Sequence, residues 1–161
     1  MKIEISSRHD VPAVVSILKE ADEWLSGNNQ SLWTANEIGF ERITQDVDAG
    51  KYYAAYKNMQ IAGVMRLEKE DTYFWPEISP GTSIYVHKLA VRRVWAGKGV
   101  SEALLNYAKI FARELMCDYV RLDCFANRER LRLFYEKNGF SLRDVNRKGS
   151  IDYARYEAFL Y

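Results

Sequence analysis

The sequence predicts an α+β fold: a mixed, mostly antiparallel sheet of six or seven strands with helices on both faces. Three observations lead there. Period-two stretches of β-branched and aromatic residues alternate with stretches of helical period along the 161 residues. The run from Ile84 to Phe125 reads strand, turn, helix, strand, and the helical crossover makes its two strands parallel. Short polar turns at Lys57–Gln60 and Asn146–Gly149 join other strands as antiparallel pairs.

The bulk numbers narrow the function. A chain of 161 residues with 48% hydrophobic content can build a sizeable core, and we expect one domain over 1–161. Net charge is +1, with both signs interspersed, which argues against nucleic acid as a partner. Cys117 and Cys124 read as buried free thiols, and no metal-ligand spacing exists, so no metal is expected. The start MKIEISSRHD has no apolar h-region, and no apolar run approaches membrane-spanning length. The expectation is a soluble, cytoplasmic protein with no membrane partner.

In chain order, Lys2–Ser6 reads as a first strand. Asp10 is placed to cap a helix with Pro12 in its first turn and Gly27 near its end. Ser26–Trp33 reads as a loop, and a second helix is predicted from about Asn36 to Asp48. Lys51–Tyr56 and Ile61–Leu67 form a hairpin. Glu68–Asp71 is most simply a solvated charged face. The aromatic stretch Tyr73–Pro76 is too irregular for regular structure; it suits a rim, a dimer contact or a hydrophobic plug equally. Trp24 and Trp33 suit core packing better than a pocket wall. A strand over 84–92 and a helix over 99–116 follow, then a strand over Tyr119–Phe125. Asn127 is expected to cap a helix over 128–138, ended by Asn138-Gly139. Phe140–Val145 and Tyr153–Leu160 complete the sheet.

The stretch Ile84–Ala112 organises the rest. Tyr85, His87, Leu89 and Val91 alternate onto one strand face. The turn Ala96-Gly97-Lys98-Gly99-Val100-Ser101 then opens an amphipathic helix. The first amides of a helix lack intrahelical partners, and that end of the macrodipole is positive. Two glycines let backbone approach a ligand closely. Such a turn can cradle a pyrophosphate, though an ordinary tight turn would read the same way. It is not a P-loop, because Arg92 takes the first glycine slot and Gly99 follows Lys98. Nor is it a dinucleotide fingerprint, because Glu102 stands at the third glycine.

Two motifs resemble the GNAT-type N-acetyltransferases. The first is Leu89-Ala90-Val91 followed by Ala96-Gly97-Lys98-Gly99-Val100-Ser101, similar to that family's L-x-V strand end and [QR]-G-x-G-x-[GA] turn. Ala96 stands where the family has Gln or Arg, and Ser101 where it has Gly or Ala. The second is Leu133-Phe134-Tyr135-Glu136-Lys137-Asn138-Gly139-Phe140, similar to L-Y-E-K-x-G-F. The resemblance implies the acyl-CoA N-acyltransferase fold, with the two parallel strands splayed around the pantetheine arm. It implies acetyl-CoA as cosubstrate, held at Leu89, Ala90, Val91, the Ala96–Ser101 turn and Asn127. It also implies a small-molecule or peptide amine as acceptor and allows a homodimer.

Direct transfer to an amine needs a proton removed. A lysine-like ammonium has a pKa about 3.4 units above neutrality, a handicap near 4.6 kcal/mol. His87 has the right chemistry to assist, and arylalkylamine N-acetyltransferases carry a His in that slot; Glu68 or an ordered water chain are the other bases. Tyr135 lies where the family's catalytic tyrosine lies and would assist the departing thiolate. The family has an Asn seven residues before this Tyr, where this chain has Arg128, with Asn127 one place off. A non-catalytic acyl-CoA sensor with the same cradle is the alternative reading.

Overall fold

The computed structural model describes residues 1–27 and 32–161, so part of the loop expected over 26–33 lies outside the described residues. The elements are β1 (Lys2–Ile5), α1 (Val11–Gly27), α2 (Phe40–Asp48), β2 (Tyr52–Lys57), β3 (Gln60–Glu68), β4 (Ser83–Val91), α3 (Val100–Glu114), β5 (Tyr119–Phe125), α4 (Glu129–Lys137), β6 (Ser141–Lys148) and β7 (Ile151–Phe159). The strands form a seven-stranded sheet in the order β1-β2-β3-β4-β5-β7-β6. β4 and β5 pair in parallel from Ser83↔Tyr119 to Tyr85↔Arg121. β1–β2, β2–β3, β5–β7 and β6–β7 are antiparallel. This is the mixed sheet with helices of the GNAT acyl-CoA N-acyltransferase fold.

Two compact units divide the chain: Met1–Leu67 with Lys88–Leu104, and Glu68–His87 with Leu105–Tyr161. In the first, α1 and α2 cover the inner strands with Val14, Ile17, Leu18, Ile43 and Val47, packed against Tyr52, Ala54 and Val64. The start of α1 differs from expectation. Arg8–Asp10 forms a 3-10 turn, and Asp10 is not the cap. Its Oδ2 accepts from the Ser7 N–H at 2.8 Å, closing a capping box from the far side. The second helix begins at Phe40, not Asn36. Gly39 sits in an extended conformation at its N-cap, and the Gly39 carbonyl accepts from Ile43 N–H. A glycine is the cheapest place to break helical backbone. The β2–β3 hairpin turns through Asn58 and Met59, both left-handed.

In the second unit β7 lies inside and β6 at the edge. Ala154, Tyr156 and Ala158 of β7 are buried, whereas β6 carries Arg143, Asp144, Arg147 and Lys148. Charge on an edge strand blocks further pairing. Of the three readings of the aromatic stretch, the plug fits Trp75, which is 2% exposed, while Tyr73 is exposed. Cys117 and Cys124 are free and buried, as expected, and burial pushes the Cys124 thiol up to about 11.

Candidate functional site

In the first unit the glycine turn lies where its sequence puts it. Gly97 and Gly99 are both left-handed, at φ 71° and 84°, and a Cβ on either would meet no atom of the described residues within 4 Å. The turn is exposed, and α3 opens at Val100. Lys98 N–H is spent on the Trp95 carbonyl, and Ala103 N–H bonds the Gly99 carbonyl as α3 begins. The amides of Val100, Ser101 and Glu102 are thus first-turn donors beside the positive end of the dipole.

What seats this turn was not among the sequence motifs. A Cβ on Gly63 of β3 would lie 2.8 Å from Val100 Cγ1, 3.1 Å from the Ala90 carbonyl and 3.1 Å from Val91 Cγ2. Only glycine lets the first residue of α3 press onto the sheet there. The Arg92 N–H also bonds the Ala62 carbonyl at 2.9 Å, tying the end of β4 to β3. A lone glycine inside a strand pattern was the available signal.

The cations near the turn are held by aromatic and polar partners. The Arg93 guanidinium stacks 4.0 Å from the Trp24 ring, and Lys57 and Lys98 lie 4.7 and 5.2 Å from the Trp95 ring. Arg92 donates to Ser16 Oγ at 3.2 Å and lies 3.6 Å from Glu20. Trp24 is therefore an exposed stacking platform, and Trp33 packs partly into the core. Leu89, Ala90 and Val91 end β4, just after Lys88, which is left-handed at φ 52°. A left-handed residue inside a strand marks a bulge, so the expected face alternation is interrupted at Lys88.

In the second unit, His87 Nε2 lies 3.4 Å from Asp71 Oδ2. Asp71 Oδ1 accepts from the N–H groups of Tyr73 and Phe74, at 3.1 and 2.9 Å. Asp71 is therefore no solvated charge: its side chain is 6% exposed. Asp123 of β5 joins them, and one ligand atom from each of Asp71, His87 and Asp123 lies within 4.8 Å of the others. The arrangement puts an imidazole close to two carboxylates. Sequence spacing had missed the trio, because its members come from three separate segments. Glu68, the other side-chain base considered, is half-buried at the end of β3.

Tyr135 sits in the last turn of α4 and is 6% exposed. The end of the helix fixes it. Gly139 is left-handed, its N–H bonds the Glu136 carbonyl, and Phe140 N–H bonds the Tyr135 carbonyl at 3.1 Å. This is a Schellman cap, and its hydrophobic contact is the Tyr135–Phe140 ring pair at 6.0 Å. The motif K-x-G-F is thus the cap that positions the tyrosine. Tyr156 adds a third ring at 6.0 Å; its hydroxyl accepts from Arg132 Nε and donates to Glu136. Burial pushes the Tyr135 phenol well above its ordinary value, with Cys124 adding to the shift. At the other end of α4 the N-cap position belongs to Arg128, not Asn127, and Asn127 is exposed.

Comparison with known proteins fits this geometry. The sequence profile of the acetyltransferase (GNAT) family matches residues 16–140, which include both motifs. An uncharacterized N-acetyltransferase of Bacillus subtilis (strain 168), YesJ, is 27% identical over 146 residues, covering 87% of this chain and 81% of that protein. A GNAT-family acetyltransferase from Listeria monocytogenes 4b F2365 superposes with a TM-score of 0.80 at 22% identity, covering 99% of this chain and 94% of the other. The PaiA N-acetyltransferase from Thermoplasma acidophilum, solved in complex with coenzyme A, superposes with a TM-score of 0.76 at 16% identity, covering 98% of each chain. The chain belongs to the acetyltransferase (GNAT) family and is an acetyl-CoA-dependent acyltransferase. Among the described residues no helix is long and apolar enough to cross a membrane.

Proposed function

We propose that this protein, acting as one domain over 1–161, moves the acetyl group of acetyl-CoA directly to a primary amine. The observation that carries the reading is the exposed turn with two left-handed glycines opening α3, in a chain of an acetyltransferase family. The pyrophosphate takes the amides of the Gly97–Ser101 turn other than that of Lys98, which bonds the Trp95 carbonyl; Val100 and Ser101 present theirs in the first turn of α3, where donors and dipole favour an anion. Ala96 contributes backbone only. Backbone amides of Leu89–Val91 polarise the thioester carbonyl, and Asn127 contacts the pantetheine arm.

The amine attacks the thioester carbon, the C–S bond breaks, and the amine's proton passes to a base. His87 is that base, directly or through water. Its support is the Asp71 carboxylate, itself fixed by two backbone N–H groups, which orients the ring. Tyr135 donates a hydrogen bond to the leaving sulfur. A phenol is already a weaker acid than a thiol, and burial raises it further, so full proton transfer is uphill and the hydroxyl stabilises charge on sulfur without surrendering its proton. The support for Tyr135 is its place in the family-like motif and the cap that holds it.

The test is a thiol-release assay with acetyl-CoA across amines: amino acids, polyamines, arylalkylamines, peptide N-termini and amine antibiotics. Release above the hydrolysis background with at least one amine, and mass spectrometry showing one acetyl on its nitrogen, is expected. Tight acetyl-CoA binding with no acetylated product across the panel would instead make the protein an acyl-CoA sensor.

A further inference from the structure

In the second unit, β7 carries a buried cation that no step of the acetyl transfer uses. Arg155 is 5% exposed. Its Nε and Nη2 donate to the two carboxylate oxygens of Asp144 on β6, at 2.7 and 2.6 Å. Its Nη1 donates to the Phe74 carbonyl at 2.9 Å and lies 2.7 Å from Glu77 Oε1. The guanidinium also lies 4.5 Å from the centroid of the Trp75 ring. Tyr153, two residues earlier on the same face of β7, packs its ring 4.8 Å from that of Phe74. β7 thus grips the aromatic stretch at two successive residues.

Stability alone does not call for an arginine here. A buried ion pair is often replaced by apolar side chains of similar volume at no loss. What an apolar side chain cannot supply is a donor for the Phe74 carbonyl. That carbonyl shares a peptide group with the Trp75 N–H, which donates to the Asp71 main-chain carbonyl at 3.0 Å. The N–H groups of Tyr73 and Phe74 donate to Asp71 Oδ1. Backbone and side chain of Asp71 are therefore both fixed by a single turn, and Arg155 fixes that turn to the sheet. Asp71 Oδ2 is the atom that faces His87 Nε2, at 3.4 Å.

We infer that Arg155 is a positioning residue: by holding the Phe74 carbonyl it keeps the Asp71 carboxylate on His87. The inference rests on the proposed role of His87 as the base. Asp123 of β5 is the other carboxylate close to the ring, and it is the cross-strand partner of Arg155. This makes the sign of the effect diagnostic. Removing a cation beside Asp123, and from Asp144 and Glu77, strengthens the negative field on the imidazole and would raise the His87 pKa. Letting Asp71 swing away takes a carboxylate from the ring and lowers it.

The test reads His87 directly and needs no turnover. The chain has two histidines, His9 and His87, so protein labelled with 13C-histidine gives two titrations, and His87→Gln assigns them. Asp71→Asn should lower the His87 pKa by about a unit. Arg155→Met, which has no donor for the Phe74 carbonyl, should lower it by at least about half as much, against the sign of the lost charge. In the Asp71→Asn background Arg155→Met should lower it no further, because both act through one carboxylate. A merely structural arginine would cost stability in urea and leave this pattern absent. Should Arg155→Met fail to fold, Arg155→Gln, whose amide ends short of the Phe74 carbonyl, is read in its place.

A His87 pKa that rises or stays put in the Arg155 variant would overturn the inference, as would an unchanged value in Asp71→Asn. A fall of the same size in the Asp71→Asn background would overturn it too, since Arg155 would then act by another route. If the His87 titration follows Asp71 and Arg155 as stated and no amine is acetylated, the positioning stands and the transfer reading falls. If amines are acetylated and the His87 titration ignores Arg155, acetyl transfer stands and this inference falls.

Discussion

Tyr135 and His87 differ in how much of each the sequence exposes. Y-E-K-N-G-F identifies Tyr135 because the motif contains both the residue and the cap that fixes it. The surroundings of His87 are hidden, because Asp71 lies in a run of charges that reads as solvated surface. Its burial depends on the Tyr73 and Phe74 N–H groups it accepts from, which composition does not reveal. Lys88 is hidden too, since nothing in a lysine's chemistry favours the left-handed backbone it adopts. Two substitutions test the roles proposed at this scale. Tyr135→Phe keeps the ring in its contacts with Phe140 and Tyr156 and removes only the hydroxyl. It should lower kcat at least about tenfold, less than the full range of about 10²–10⁴ for general-acid catalysis because no proton is surrendered, and leave acetyl-CoA affinity by calorimetry within twofold. Unchanged single-turnover chemistry would remove Tyr135 from the reaction. His87→Gln should abolish the acidic limb of the kcat/KM–pH profile; a limb that persists unshifted would point to Glu68 or water.

At the scale of elements the periodic segments are legible and their ends are not. The sequence places β2, β3, β5 and α3 to within a residue or two, since alternation or helical period runs through each. It misplaces the start of α2, because Gly39 outweighs the polar turn before it. It misassigns Asp10 and Asn127, because any of several neighbouring residues can satisfy a helix end, and here Ser7 and Arg128 take the cap positions. The contact that seats α3 is equally hidden, since it depends on a strand glycine distant in sequence. Gly63→Ala tests it. The added Cβ meets three atoms at 2.8–3.1 Å, two of them side-chain methyls and one a backbone oxygen that cannot swing away. Overpacking of this kind costs about 1–3 kcal/mol. Urea denaturation should show that loss, and CoA affinity should fall because the helix start is displaced. Gly27→Ala, with no atom of the described residues within 4 Å of its Cβ, is the control: it should leave CoA affinity unchanged and lose no stability, a helical glycine-to-alanine change adding about 0.5–1 kcal/mol at most. A Gly63→Ala protein as stable as wild type, with unaltered CoA binding, would mean that α3 is seated otherwise.

For the whole molecule, the parallel pair is legible because a helical crossover permits little else. The final order β5-β7-β6 follows from the apolar residues of β7 set against the charges of β6. The division into two compact units is not legible at all, because it runs through elements instead of linkers. One boundary falls after His87 inside β4 and another after Leu104 inside α3. A strand or helix is a run of interdependent hydrogen bonds, and melting half of one exposes the polar groups of the other half. The reading of 1–161 as one domain therefore predicts one cooperative transition, with far-UV and near-UV circular dichroism coinciding and the calorimetric and van't Hoff enthalpies equal. CoA at about 100 times its Kd should add about 2.7 kcal/mol and move that single midpoint up by roughly 5–10 °C. Two separated transitions, with only one moved by CoA, would show that the units unfold independently and that CoA is bound by one of them alone.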